Sequence, residues 1–163
     1  MRGDDIRVLF DFNYWANRQI VASCAGISTE AFTASPPSCT YRNLRGTLVH
    51  TLDVELSWRR RLRGEPRDVW DQSLVDADYP SVSVLSEHWT RDEAEMRAWL
   101  DQLTDEDVSS PVHSDLSADD RPLWAYILHI VFHATQQQAD AATLLTLAGR
   151  SPGDVGYLEM LRG

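Results

Sequence analysis

Lysine is absent from this 163-residue chain. All 15 basic residues are arginine, against 25 aspartates and glutamates, for a formal charge of −10. Without lysine there is no Schiff-base nucleophile and no Walker-type phosphate loop, which needs that residue's point charge. The acidic balance repels polyphosphate backbones and anionic bilayers, so no nucleic acid and no membrane is expected as a partner. Cysteine is scarce. Cys24 and Cys39 form neither a CxxC pair nor a disulfide framework, and read as small hydrophobes rather than reactive thiols. No apolar run reaches the roughly 18 residues of a spanning helix. The opening MRGDDIRVLF holds no apolar signal core. The expectation is a soluble, cytoplasmic protein. No GxSxG elbow, glycine-rich phosphate cradle or nucleophile–base pair is visible.

What the chain has throughout is helical periodicity. Ile6, Leu9, Phe10, Asn13, Ala16 and Ile20 recur at three and four, predicting a helix over roughly 4–25 that ends near Gly26. Residues 27–40, with Pro36 and Pro37, read as a loop. Leu44, Leu48, Thr51, Glu55, Trp58 and Leu62 mark a second helix, from just after Thr40 to Gly64. Residues 64–80 read as a connection. A third helix runs from Val82 through Leu103, and the TDED stretch at 104–107 ends it. Residues 108–120 are polar, with room for a short irregular or extended segment. The fourth helix is capped by Asp120, carries Pro122 in its first turn and stops at Gly149. A short terminal helix over about 154–161 packs over an end of the bundle. Nothing marks a domain boundary, so 1–163 is one domain. A domain of this size buries roughly 70% of its unfolded surface. The fold class is all-α, a four-helix bundle.

Histidines carry the first chemical signal. His129 and His133 stand four apart, which puts both imidazoles on one helix face, and Gln137 continues that face. Neutral imidazole is the commonest metal ligand, yet the same pair serves equally as hydrogen-bonded core histidines. His50 interrupts apolar neighbours on helix two, with Asp53 on its face. In bundles, sites are made from facing side chains of different helices. His50 and His133 with a carboxylate or amide make a minimal site. Glu55 breaks the apolar stripe of helix two. It either reaches water at the stripe's edge or is paired inside. His88 and His113 stand in polar surroundings and are expected to face water. Arg59, Arg60, Arg61 and Arg63 form the only basic cluster. They either complement the C-terminal helix dipole or anchor a carboxylate or phosphate.

Three segments together resemble the DinB/YfiT-like family: DFNYWANRQI, RGTLVHTLDVELSWRRRLRG and PLWAYILHIVFHATQQQADAATLLTLAGRSPGD. The resemblance implies an up-down-down-up four-helix bundle with a short C-terminal helix, commonly a homodimer. It implies zinc or nickel held by three histidines, one matching His50 and two from helix four. The first of those two matches His133; the second falls on Gln137. His129 matches an additional family histidine that is less usually a direct ligand. Gln138 stands where arginine is usual, and Asp140 where glutamine or glutamate is usual. A neutral amide is a far poorer zinc or nickel ligand than imidazole. The implied set is therefore His50, His133, Gln137 and His129, with Asp53 or Glu55 orienting a ligand histidine and Arg59, Arg60 and Arg63 as an anion anchor. The implied activity is that of a metal-dependent thiol S-transferase or hydrolase acting on a small thiol or acidic ligand. The alternative is a metal-free binding or scaffold protein with a degenerate ligand set.

Overall fold

The computed structural model describes residues 1–113 and 119–163. In chain order the helices are α1 (Gly3–Ser23), α2 (Thr29–Thr33), α3 (Leu44–Leu62), α4 (Arg67–Trp70), α5 (Val82–Leu100), α6 (Asp105–Ser109), α7 (Leu123–Leu147) and α8 (Tyr157–Met160). A single antiparallel bridge pairs β1 (Pro111–Val112) with β2 (Arg121–Pro122).

The long helices start and stop for local reasons. The Asn43 side-chain oxygen accepts from the Gly46 amide at 2.8 Å, capping α3. Ser81 caps α5 through the Val84 amide. Beyond α3 and α7, Gly64 and Gly149 take φ of +77° and +72°, the left-handed conformation that closes a helix end.

Several boundaries differ from expectation. The 27–40 loop contains α2, capped by Ser28, because Phe32 must be buried against the bundle. The 64–80 connection contains α4 and a 3₁₀ turn at Asp76–Asp78. Helix α5 stops at Leu100, and Thr104 opens α6 with a capping box to Asp107. Asp120 does not cap α7. Its carboxylate lies 3.0 Å from His113 Nδ1, and Pro122 occupies the cap position while pairing in β2. Within 108–120, where a short irregular or extended segment is expected, lies β1, while its partner β2 falls just beyond; residues 114–118 lie outside the described residues.

Side-chain pairs set the helix directions. Arg7 meets Asp101 and Arg97 meets Asp11, so α1 and α5 are antiparallel. His50 faces His133 and Trp58 stacks on Tyr126, so α3 and α7 are antiparallel. Asn13 meets Gln138, and Arg150 beyond α7 donates to the Gly26 carbonyl beyond α1, so α1 and α7 run together. Tyr157 of α8 packs edge-on against Phe12 of α1, their ring centres 5.5 Å apart.

The core has two apolar halves. One is built around Ile20, Leu48, Leu52, Leu85 and Leu145, the other around Ile6, Phe10, Met96, Ile127 and Ile130. A polar cluster adjoins both, drawing from all four long helices. Glu55 of α3 is fully buried. Its Oε1 accepts from Asn13 Nδ2 (2.7 Å) and Asn17 Nδ2 (3.3 Å), and its Oε2 from Trp89 Nε1 (2.8 Å). Gln138 of α7 donates to Asn13 Oδ1 (3.0 Å), Asn17 Oδ1 (2.8 Å) and the Asn13 carbonyl (3.3 Å). One turn along α3, the buried Arg59 pairs with Asp92 and, at 2.7 Å, with Glu95.

Candidate functional site

His50 projects from the second turn of α3 and His133 from the middle of α7. Their Nε2 atoms stand 3.1 Å apart, with the rings nearly perpendicular at 79°. Both rings are half-buried. Burial favours the neutral form of each. It lowers His133 to about 4, with help from His50, His129 and Arg42, and it lowers His50, against a weaker opposing pull from Asp53. Two neutral imidazoles at this distance share one proton, one Nε2 donating and the other accepting. The buried Nδ1 of His133 has no hydrogen-bond partner.

Beginning one turn along α3 from His50, Asp53, Ser57, Trp58 and Arg61 line a cleft of about 100 Å³ roofed by Trp70; neither His50 nor His133 lines it. Asp53 Oδ1 accepts from the Leu74 amide at 2.8 Å, which pins the roof segment to α3. Arg61 lies over the rings of Trp58 and Trp70, 5.0 and 4.7 Å from their centres.

The sequence profile of the DinB family matches residues 3–163, nearly the whole chain. The chain belongs to the DinB family. A search of curated proteins gave no match.

The four expected ligand residues are only partly brought together. His50 and His133 converge. Gln137 lies half-buried one turn further along α7. His129 is exposed, its ring centre 6.2 Å from that of His133 and 5.0 Å from that of Trp58, which it meets edge-on. Among the described residues, no group of three or more His, Cys, Asp or Glu side chains is placed to hold a metal ion. Two nitrogens on one tetrahedral zinc, each at about 2.0–2.1 Å, stand about 3.3 Å apart. The pair therefore fits two positions of such an ion, and the neutral rings leave lone pairs for it.

The remaining expected residues separate. Asp53 stays near His50 but spends an oxygen on Leu74. Glu55 does not reach water at the stripe's edge, and its hydrogen bonds go to Asn13, Asn17 and Trp89 rather than to a ligand histidine. Arg59 is corrected as an anion anchor: its guanidinium is 1% exposed and tied to Asp92 and Glu95. Arg60 donates to the Val69 carbonyl and Arg63 faces Glu65, so the three arginines share no partner. His88 does not simply face water; it is half-buried, with the Tyr79 hydroxyl 2.7 Å from its Nδ1. Sequence reasoning missed Asn13, Asn17 and Gln138 as a cluster. The available signal was that Asn13, like Glu55, stands on an otherwise apolar stripe.

Proposed function

We propose that this DinB-family protein takes up a divalent metal, zinc or nickel, at the α3–α7 histidine pair and acts as a metal-dependent thiol S-transferase or hydrolase. One observation carries the reading: the two Nε2 atoms, from facing helices, stand 3.1 Å apart. A divalent ion held there lowers the pKa of a bound thiol or water. His50 and His133 would hold it, with Gln137 the next donor along α7. Burial keeps both imidazoles unprotonated at neutral pH, the state that binds metal. The cleft further along α3, lined by Asp53 and Arg61, is where a small thiol or acidic ligand would sit. A homodimer is the expected assembly, which gel filtration checks.

A second reading is a metal-free binding protein on the same scaffold. It is favoured by the amide at 137 and by the unpartnered Nδ1 of His133, since ligating histidines normally give that second nitrogen a hydrogen-bond partner. Titration calorimetry of chelator-treated protein with zinc and nickel salts separates the two. The first reading expects one ion per chain, lost in His133→Ala. It also expects Gln137→His to tighten zinc by about 100-fold, several kcal/mol regained from a third imidazole. Wild-type protein that takes up neither metal sinks it.

A further inference from the structure

Glu55 lies five residues after His50 on α3, and Gln138 five residues after His133 on α7. Five residues turn a helix by about 140°, so each lies away from its histidine's face, on the side of its helix that meets α1. Both are tied to the same two side chains of α1. Asn13 and Asn17 donate to the Glu55 carboxylate and accept from the Gln138 amide. We propose that Asn13, Asn17, Glu55 and Gln138 are positioning residues for the His50–His133 pair, with α1 acting as a splint that fixes the register of α3 against α7. The inference rests on reading that pair as the functional centre.

The physical case is one of specificity. Elsewhere the α3–α7 seam includes apolar contacts such as the stack of Trp58 on Tyr126. Apolar contacts tolerate sliding and repacking, whereas a hydrogen-bonded pair does not. A slip of one helical turn, about 5.4 Å, would part the two imidazoles. A buried polar cluster resists that slip, because displacement strands donors and acceptors away from water. Here Asn13 and Asn17 each bond to both Glu55 and Gln138, so α3 and α7 are held to the same short stretch of α1. All four positioning residues are at least 95% buried, so water cannot substitute for a lost partner.

The test is nitrogen NMR of histidine-labelled protein, freed of metal by chelator, at pH 7.5. Wild-type protein should show one hydrogen-bonded Nε2 proton shared between His50 and His133. Gln138→Met keeps the side-chain volume and removes the amide; it should lose that resonance while its far-ultraviolet dichroism stays helical. Asn17→Ala is the milder second variant and should weaken the resonance if Gln138→Met does not fold. Met96→Ala, a cavity elsewhere in the core, loosens the fold without touching the splint and should leave the resonance unchanged. The inference is overturned if the wild-type lacks the resonance, if both splint variants keep it, or if Met96→Ala loses it equally. Zinc titration of the same wild-type sample separates the two ideas. Protein that shows the resonance and binds no zinc removes the metal reading and leaves the positioning role standing.

Discussion

Glu55 sits where no water reaches it, and its proton is held accordingly. Burial is the largest influence and raises its pKa to about 7. The hydrogen bonds from Asn13, Trp89 and Asn17 pull the other way, and Asp92 adds a further upward push. The folded chain thus binds this proton more tightly than the unfolded chain, whose carboxyl titrates near 4.5. The stabilisation is fully present below pH 4.5 and is lost as pH rises through 7. Urea unfolding should show stability falling between pH 5 and 8, with a contribution from this group on the order of 3 kcal/mol. Glu55→Gln should flatten that slope. An unchanged slope would mean the carboxyl titrates normally. Cys24 shows the same physics without a functional edge: burial pushes its thiol up to about 11, which suits a packing residue.

Among the elements, α3 carries the most. It supplies His50, the cleft floor, Glu55 and Arg59, so its start must be fixed. Asn43 does this twice, capping the helix through Gly46 and donating to the Thr33 carbonyl of α2 at 3.2 Å. Asn43→Ala should cost about 1–2 kcal/mol in thermal or urea unfolding, toward the upper end because a second bond is lost. The four long helices were legible in the sequence because each buries one face, and a stripe at three-and-four spacing is a local signal. The short helices were not. In α2 and α4 few residues repeat, and what holds Phe32 is tertiary burial rather than periodicity. Asp120 illustrates the same limit: a good capping residue was outcompeted by a β-bridge whose partner strand lies elsewhere in the chain. At the site, the four-residue spacing of His129 and His133 placed both on α7, but a face of a helix is wide, and only His133 reaches His50. Arg59 was misread because an arginine run resembles a solvated helix end. Position 59 shares its face with 55, and that face turns inward.

At the scale of the whole molecule, polar side chains from four helices meet where two apolar regions adjoin. The regions share few partners, so they should respond independently. Leu52→Ala and Met96→Ala lie in different halves and should each cost about 2–5 kcal/mol. Their double mutant should be additive to within about 0.5 kcal/mol. A larger coupling energy would show that the halves are one packing unit. The charge pattern fits the same division. The arginines of α1 and α5 pair across the outer surface, Arg7 with Asp101, Arg18 with Glu93 and Arg97 with Asp11. Arg59 and Asp92 form an ion pair taken inside.

The bond from Trp89 to Glu55 also makes the molecule its own optical indicator. Excitation of an indole moves electron density from its pyrrole ring toward its benzene ring. A carboxylate at the pyrrole N–H therefore lowers the excited state more than the ground state. Trp89 emission should shift to the red as pH rises through 7, and the shift should vanish in both Trp89→Phe and Glu55→Gln. The ionisation of a carboxyl sealed in the core could then be followed in a cuvette, with no label added.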